Sequence, residues 1–375
     1  MTKIIWSFFK TIINSGVSMK IGLMGLPMCG KKTLFKLLTG NSVEVLNPEK
    51  QESIPGKADI RDRRFNELVE LFQPKKETPA RIDVELLPDL DKRIIQEGKI
   101  FTDIALYDAL CLVIRSFSDD SVYHPSGTVC VERDFDEITG ELILHDMIFI
   151  EKRLERIADS EKKGKGQMKP GEKELLLRFK EHMESDKPLR TCILSSEENK
   201  IIHGYPLITL KEMLVVVNCS DEDLNSKSII ESLIDKHDKN KVSFIQVCAA
   251  LENEIEDLDT EEDRIEFMKV SGIVKPALNL LTKILMKSLG LISYFTVGKD
   301  EVRQWLVNDN ATAPEAARVI HSDIERGFIR AEVIRFEDMQ KLRNEEAVKS
   351  AGKQHVMGKD YHVQDGDIIS FRFNV

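Results

Sequence analysis

The chain has 375 residues and a formal net charge of −10. Apolar residues make up 42% and charged residues 31%, which is typical of a globular protein with a sizeable core and excludes a disordered chain. The acidic balance also excludes a protein that coats nucleic acid with its whole surface, so any RNA contact requires a local basic face.

The first 18 residues are mildly hydrophobic and carry Lys3 and Lys10. This segment is too short and too interrupted for a membrane-spanning helix, and it lacks a clear signal-peptide cleavage site. Met19 stands directly before the first predicted strand. We therefore predict an extension or upstream start at 1–18 and no membrane partner, with an interfacial amphipathic helix as the alternative.

A glycine loop follows the first predicted strand. Residues 20–24, KIGLM, are typical of a short buried strand, and LFKLLTG ends a helix at Gly40. Between them, Gly25 and Gly30 flank four residues and precede Lys31, which matches the pattern G-x-x-x-x-G-K of a phosphate-binding loop. The glycines let backbone N–H groups turn onto phosphate oxygens, and the lysine can reach the β- and γ-phosphates.

Four later apolar runs have the length and branching of buried parallel strands. They are IDVEL (82–86), ALCLVI (109–114), MLVVVN (213–218) and VSFIQVC (242–248). Together with the first strand they predict an α/β fold with a doubly wound, mostly parallel sheet.

About a hundred residues between the third and fourth of these five predicted strands have a helical pattern. Met147, Ile150, Leu154 and Ile157 recur on one helical face, and ELLLRFKEHM forms a second amphipathic segment after a Gly/Pro/Lys turn. We predict an inserted antiparallel helical hairpin. Its tip is basic through Lys162, Lys163, Lys165, Lys169 and Lys173, which could contact RNA or simply be solvated.

The chain changes character near residue 291. ISYFTV, FIRAEVI and DIISFRF have the β-branched and aromatic content of strands, and APEAARVIHSDIERG is predicted to be one helix that ends at Gly327. This pattern indicates a separate α+β module of about 85 residues.

With these features the chain resembles the YchF/Obg-like ATPase family of P-loop proteins. The resemblance spans residues 19–375 and is carried by GLPMCGKKTLF, YFTVGKDEVRQWLV, ATAPEAARVIHSDIERGFIRAEVI and VQDGDIISFRFNV. It implies a C-terminal TGS domain, a ubiquitin-like β-grasp module, and a coiled-coil insertion. The implied domains are an extension at 1–18, a nucleotide-binding domain at 19–133 and 206–290, an inserted helical domain at 134–205, and a TGS domain at 291–375.

Three departures from the family pattern concern magnesium and the γ-phosphate. Lys32 stands where the family has a serine that binds Mg²⁺, and Thr33 points elsewhere because one helical step rotates a side chain by about 100°. The family's D-x-A-G is replaced, with its Asp position at Glu85 or Leu86 and its Gly position at Pro88 or Asp89. The switch I threonine is missing, and Ser53 is the nearest hydroxyl.

Base recognition is partly kept. The family's N-x-x-E corresponds to NCSD, with Asn218 and Asp221, and the sequence CAALE, Cys248 to Glu252, matches the last base-contact loop. An Asp at this position suits guanine, whereas the family's Glu accompanies a preference for ATP, so ATP and GTP both remain open. Cys29 at a helix start is either a stabilised thiolate or a small apolar residue, and the apolar interpretation is favoured.

The resulting prediction is a nucleotide-binding protein with impaired Mg²⁺-dependent hydrolysis that acts with the ribosome in the cytoplasm, as a monomer. The alternatives are an active ATPase or GTPase switch and a nucleotide-independent adaptor for ribosome or RNA. No catalytic residue is assigned, and Thr33 and Glu85 are weak candidates for a metal. The predicted nucleotide-binding residues are Gly25, Leu26, Pro27, Met28, Cys29, Gly30, Lys31, Lys32, Thr33, Asn218, Asp221, Cys248, Ala249 and Ala250.

Overall fold

The structure is a computed structural model that describes residues 19–41, 52–163, 169–226, 228–237, 240–271, 273 and 277–374. The predicted extension at 1–18 and Lys165 of the hairpin tip lie outside these residues. Two compact units form, the first from Met19–Ala58 and Asp83–Leu281, the second from Asp59–Ile82 and Thr282–Val375.

The first unit is built on a six-stranded sheet in the order β2-β4-β1-β5-β6-β7. The pairs β4-β1, β1-β5, β5-β6 and β6-β7 are parallel. Every residue of β5 is buried, because a central parallel strand is covered on both faces. The strands are β1 (Lys20–Gly25), β2 (Ile54–Asp59), β4 (Arg81–Leu86), β5 (Ala109–Arg115), β6 (Glu212–Asn218) and β7 (Val242–Val247).

Helices accompany the strands of this sheet. Phe101, Phe135 and Leu233, from three different helices, pack with Leu112 and Val215 of the sheet in one apolar core. All five strands predicted from sequence in this unit are confirmed. The helices that belong with the sheet are α1 (Lys31–Thr39), α3 (Lys92–Glu97), α4 (Lys99–Ile104), α8 (Ser228–His237), α9 (Ala249–Glu256) and α10 (Glu261–Val270).

The predicted helical hairpin is α5 (Val131–Lys162) and α6 (Glu172–Met183), followed by α7 (Ser196–Ile202). Ile150 and Ile157 of α5 pack with Leu176 and Phe179 of α6 in a separate core. Ion pairs join Lys173 to Glu161 and Lys180 to Glu151, so the two helices run antiparallel.

The second unit contains a mixed sheet in the order β11-β10-β12-β8-β9-β3. The pair β12-β8 is parallel, whereas β10 is antiparallel to both of its neighbours. The predicted fold class, α/β with a mostly parallel sheet, an inserted helical hairpin and a C-terminal β-rich part, is confirmed. The strands are β3 (Lys76–Thr78), β8 (Leu291–Thr296), β9 (Glu301–Asn308), β10 (Phe328–Arg335), β11 (Gln354–Met357) and β12 (Asp367–Phe373).

Residues 59–82, which the sequence grouped with the nucleotide-binding domain, lie in the second unit. They contribute β3 and helix α2 (Arg63–Phe72), whose Phe65 and Leu68 pack with Phe295 and Ile334 of the mixed sheet. The second unit is therefore assembled from two separated stretches of the chain.

The helix predicted to end at Gly327 is interrupted at His321, so the prediction of one continuous helix is wrong. His321 has extended backbone angles, and its Nδ1 accepts a hydrogen bond from the N–H of Asp323, which caps a second helix. The remaining helices are α11 (Ala277–Ser288), α12 (Ala313–Ile320), α13 (Ser322–Arg326), α14 (Phe336–Leu342) and α15 (Glu345–Ser350).

Candidate nucleotide-binding site

The loop between β1 and α1 contains two residues with left-handed backbone angles. Met28 has a φ of 58° and Gly30 a φ of 92°. Gly30 immediately precedes α1, and no side chain caps that helix. The N–H groups of the first turn are therefore open to an external acceptor, which is the arrangement that phosphate oxygens use.

The two loop glycines are required by close contacts. A Cβ at Gly30 would lie 2.1 Å from Nδ2 of Asn218, and a Cβ at Gly25 would lie 2.5 Å from the carbonyl oxygen of Val113. Both distances are shorter than van der Waals contact, so any larger residue would force the loop away from β5 and β6. The sequence pattern and the packing thus agree on glycine at these positions.

Asn218, at the end of β6, is hydrogen-bonded to the loop. Its Nδ2 donates to the carbonyl oxygen of Cys29 at 3.0 Å, and its Oδ1 accepts from the N–H of Ala249 at 3.0 Å. The side chain is buried, so both bonds form in a medium where unpaired polar groups are costly. Asn218 therefore ties the loop to the start of α9.

Lys31 turns inward from the first turn of α1 and is only 3% exposed. Its Nζ donates to the carbonyl oxygen of Pro88 at 2.7 Å and to that of Gly25 at 3.3 Å, and it lies 2.9 Å from Oδ1 of Asp89. Burial lowers the pKa of Lys31, and the Asp89 carboxylate opposes this shift. The lysine that should meet phosphate thus already has an anionic partner.

Lys32 and Thr33 lie on other faces of α1. Lys32 is exposed and forms no ion pair with a described residue, whereas Thr33 is half-buried. The positive charge of Lys32 contributes to the lowered pKa of Lys31. The loop therefore presents two cationic residues in succession, one buried and one in solvent.

Glu85 on β4 is engaged away from the loop. Its carboxylate accepts hydrogen bonds from the Tyr107 hydroxyl at 2.6 Å, the Ser53 hydroxyl at 3.1 Å and Nζ of Lys20 at 3.4 Å. Although burial opposes the shift, these donors hold the pKa of Glu85 below its usual value. Ser53, the nearest predicted switch I hydroxyl, is thereby bound to Glu85.

The candidate Mg²⁺ ligands do not form a ligand set around the loop. Glu85 is bound elsewhere, Asp89 is bound to Lys31, and Lys32 replaces the expected hydroxyl. Within the described part of the chain, no group of three or more His, Cys, Asp or Glu side chains is arranged to hold a metal. Residues 42–51, which include part of the predicted switch I stretch, lie outside the described residues.

The predicted base-contact segments meet beside α9. Cys219 and Cys248 are buried together with Leu251 in a small apolar cluster. Asp221 is exposed, and among the described residues only its backbone carbonyl is bonded, to the N–H of Leu224, while Ser220 donates to Asp223 at 2.9 Å. Ala249 is bound by Asn218, and Ala250 is exposed, so of the predicted acids only Asp221 is presented to an incoming base.

Cys29 behaves as an apolar residue. It is buried, and this burial raises the pKa of its thiol to about 11, with Lys31 opposing the shift. A thiol with this pKa is protonated at neutral pH, so the structure supports the favoured interpretation over a stabilised thiolate.

The described lysines of the predicted basic tip divide into two kinds. Lys162 and Lys163 are exposed and unpaired with described residues, whereas Lys173 pairs with Glu161 and Nζ of Lys169 donates to the Ile201 carbonyl. None of the helices that the structure describes combines the length and apolarity needed to cross a bilayer.

The contact between Asp89 and Lys31 is not predicted by the sequence pattern. The pattern offers Asp89 only as a register alternative for the family's glycine. The available signal was its position three residues after β4, next to Pro88, at the edge where the loop begins. Tyr107, which orients Glu85, had no motif that could have revealed it.

Comparison with known proteins identifies the family. The Bacillus subtilis ribosome-binding ATPase YchF is 38% identical over 96% of this chain and 100% of its own length. The chain belongs to the YchF/Obg-like ATPase family. The Caenorhabditis elegans Obg-like ATPase 1 is 33% identical over 96% of this chain and 93% of its own length.

Two further matches concern the fold and the C-terminal part. The structure of the Schizosaccharomyces pombe YchF GTPase aligns with a TM-score of 0.79 at 29% identity, covering 95% of this chain and 98% of that one. A family model named YchF-GTPase_C, described as a protein of unknown function, matches residues 291–374. Family membership thus extends through both units.

Proposed function

We propose that this YchF/Obg-like protein binds a purine nucleoside triphosphate at the Gly25–Thr33 loop, hydrolyses it slowly, and acts in association with the ribosome. The observation that carries the proposal is the buried Lys31, held at an intact loop by Asp89 and Pro88. This cation gives phosphate a partner, whereas the neighbouring Pro88 and the hydrogen-bonded Glu85 favour slow turnover.

Binding is an exchange of anions on Lys31. A buried ammonium needs a negative partner, and Asp89 supplies it 2.9 Å away in the free protein. A triphosphate entering the loop replaces that carboxylate with phosphate oxygens, while the N–H groups of the first turn of α1 bind the remaining oxygens. Because Asp89 is 37% exposed, it can turn to solvent when it is displaced.

Slow hydrolysis follows from what surrounds the terminal phosphate. Phosphoryl transfer depends on positioned groups that neutralise charge and orient the attacking water. Pro88 has no N–H to offer, and Glu85 is committed to Ser53 and Tyr107. Neither residue is therefore proposed to orient water, and the catalytic residue stays unassigned.

Mg²⁺ has a reduced role in this proposal. When bound, the ion supplies charge neutralisation and polarisation of the phosphates. Lys32 brings a second cation to the same turn, which replaces charge but not octahedral geometry. Binding is therefore expected to persist when the metal is removed.

The base and the partner are inferred from different sources. Relatives are named ribosome-binding ATPases, which favours ATP and a ribosome in the cytoplasm, whereas the exposed Asp221 favours GTP. Lys162, Lys163 and a C-terminal unit of the TGS type are the proposed contacts with the ribosome. The protein is proposed to act as a monomer.

Two alternatives predict other results. An active switch would retain Mg²⁺-dependent turnover like that implied by its relatives' names, and a nucleotide-independent adaptor would bind neither triphosphate. The exposed, unpaired lysines of the hairpin tip are compatible with an adaptor. They favour it over a nucleotide-binding protein only if Lys31 cannot exchange Asp89 for phosphate.

The test is calorimetric titration with non-hydrolysable ATP and GTP analogues, together with phosphate release from ATP and GTP. Wild type should bind at least one analogue but release phosphate slowly, and Lys31→Ala should lose binding. Lys75→Ala is the matched control, because this exposed lysine pairs with Asp300 in the second unit. Absence of binding to both analogues would support the adaptor, and rapid Mg²⁺-dependent release would support the active switch.

A further inference from the structure

A second basic site lies on the helical insertion. A pocket of about 350 Å³ is lined, among the described residues, by Phe149, Lys152, Arg153, Arg156, Lys169 and Tyr205. This volume lies in the range of roughly 300–1,000 Å³ that small-ligand pockets occupy. None of these residues belongs to the loop or to its base-contact segments.

The helical repeat explains why the pocket is formed on α5. Phe149, Lys152 and Arg156 lie at spacings of three and four residues, so their side chains share one face of the helix. Ile150 and Ile157 lie on the face that packs into the hairpin core. One face of α5 therefore holds the hairpin together, and the adjacent face lines the pocket.

The charges of the pocket are not balanced. Arg153 is neutralised by the buried Glu172, with Nε and Oε1 2.6 Å apart. Lys152 and Arg156 are exposed and form no ion pair with described residues, and Lys169 donates only to a backbone carbonyl. Three positive charges thus converge in a protein whose net charge is −10, which favours an anionic ligand.

Two aromatic rings form the other wall. Phe149 and Tyr205 meet edge to face with centroids 5.5 Å apart, and both are half-buried. The Tyr205 hydroxyl donates to Glu172, which fixes the ring, and Nζ of Lys169 lies 5.8 Å from its centroid. Fixed aromatic rings beside free cations are the combination that binds an unstacked base and its phosphate.

We propose that this pocket binds one nucleotide unit, with the phosphate on Lys152, Arg156 and Lys169 and the base against Phe149 and Tyr205. The unit can come from single-stranded RNA or from a free nucleoside monophosphate. The proposal deepens the ribosome association in the proposed function, since it names RNA as a contact, but it does not depend on nucleotide binding at the loop.

The first test is fluorescence anisotropy with a fluorescein-labelled 12-nucleotide oligouridylate and the full chain. Lys152→Ala/Arg156→Ala should weaken binding at least tenfold and reduce the slope of log affinity against log salt by about 1.4, since each lost contact with a single strand contributes about 0.7. Lys99→Ala/Lys187→Ala is the matched control, because it removes two exposed cations that line neither this pocket nor the loop, and it should change affinity less than about twofold.

Further variants separate stacking from charge and folding. Phe149→Tyr should keep RNA affinity, whereas Phe149→Leu should weaken it severalfold without changing the salt slope, because only a ring can stack. Circular dichroism checks that each variant is folded. A Lys152→Ala/Arg156→Ala protein that binds RNA like wild type, or a Lys99→Ala/Lys187→Ala protein that loses as much affinity, would overturn the proposed site.

Competition identifies the source of the nucleotide. Adenosine and uridine monophosphates are added to the RNA complex of wild type and of Lys31→Ala, which removes competition by the loop. Displacement at low micromolar concentration indicates a free nucleotide, and no displacement with retained RNA binding indicates RNA; each supports the site. Loss of analogue binding in Lys31→Ala with unchanged RNA binding separates this site from the loop.

Discussion

The two sides of the candidate nucleotide site differ in how much of the expected arrangement they keep. On the loop side, Gly25, Gly30 and Asn218 form a tightly packed backbone cradle. On the β4 side, Glu85 is bonded to Tyr107, and Asp89 occupies Lys31. The cradle is fixed by close contacts at two glycines and by the buried Asn218 side chain, whereas the β4 contacts depend on side chains that can take other partners. The proposal of nucleotide binding with slow turnover rests on this difference.

The largest expected effect comes from breaking the cradle. Gly30→Ala places a Cβ 2.1 Å from Asn218 and forces a left-handed residue, which alone costs about 1–3 kcal/mol. We expect analogue binding to fall by roughly a hundredfold or more, corresponding to about 3 kcal/mol. Calorimetric titration and thermal unfolding measure the two effects.

Gly40→Ala is the matched control for this change. Gly40 also has a positive φ, at the other end of α1, but a Cβ there would meet nothing within 4 Å. It should lower stability through backbone strain alone and leave analogue binding unchanged. Equal loss of binding in both variants would show that strain in α1, not the approach of Asn218, controls the loop.

A smaller effect is expected from removing the Asn218 side chain, which links the loop to α9. Asn218→Ala leaves the buried Ala249 N–H unpaired, which costs on the order of 1–3 kcal/mol in the free energy of unfolding. Analogue binding should weaken by about tenfold, since the loop keeps its glycines. Asn253→Ala, which removes exposed or half-buried bonds to Lys36 and Asp257, is the control and should cost less than about 1 kcal/mol in chemical denaturation.

On the β4 side, Asp89→Asn should tighten analogue binding, whereas the substitutions on the loop side should weaken it. The substitution keeps the shape but removes the anion that competes with phosphate for Lys31. We expect analogue binding to tighten by roughly three- to tenfold, a modest effect because Asp89 is partly exposed. Asp83→Asn, on β4 but without a contact to Lys31, should not change affinity. Weaker binding in Asp89→Asn would show that Asp89 supports the site and does not compete with the ligand.

The smallest effect is expected from Lys32→Ser. Restoring a hydroxyl at one position should change phosphate release by less than about twofold, because a single ligand does not rebuild a magnesium and water-positioning site. Glu85 and Pro88 are unaffected by this substitution. Full turnover in Lys32→Ser, measured as phosphate release with saturating Mg²⁺, would show that the β4 side is intact and that Lys32 alone limits hydrolysis.

Sequence reasoning located the parts of the site that local pattern determines. The apolar runs of β1, β5 and β6 and the spacing from Gly25 to Lys31 fix where the loop must lie, because buried parallel strands have a recognisable composition. The same reasoning did not reveal the pairing of Asp89 with Lys31, because that contact joins residues 58 positions apart in the chain.

Long-range packing also explains the remaining differences in the fold. Nothing local in residues 59–82 shows that Phe65 and Leu68 pack on a sheet formed more than 200 residues later. Likewise, the periodicity of residues 313–326 favours one helix, and the interruption depends on the extended backbone at His321. Strand identity is therefore more predictable here than the assignment of segments to units.

The affinity of a triphosphate analogue, measured in Mg²⁺ and in EDTA, shows directly whether the two lysines replace the charge of the ion. If Lys31 and Lys32 together neutralise the phosphates, the dissociation constant of wild type should change by less than about threefold, or about 0.6 kcal/mol. Lys32→Ser should make binding metal-sensitive. Loss of wild-type binding in EDTA would show that the ion, and not the second lysine, holds the nucleotide.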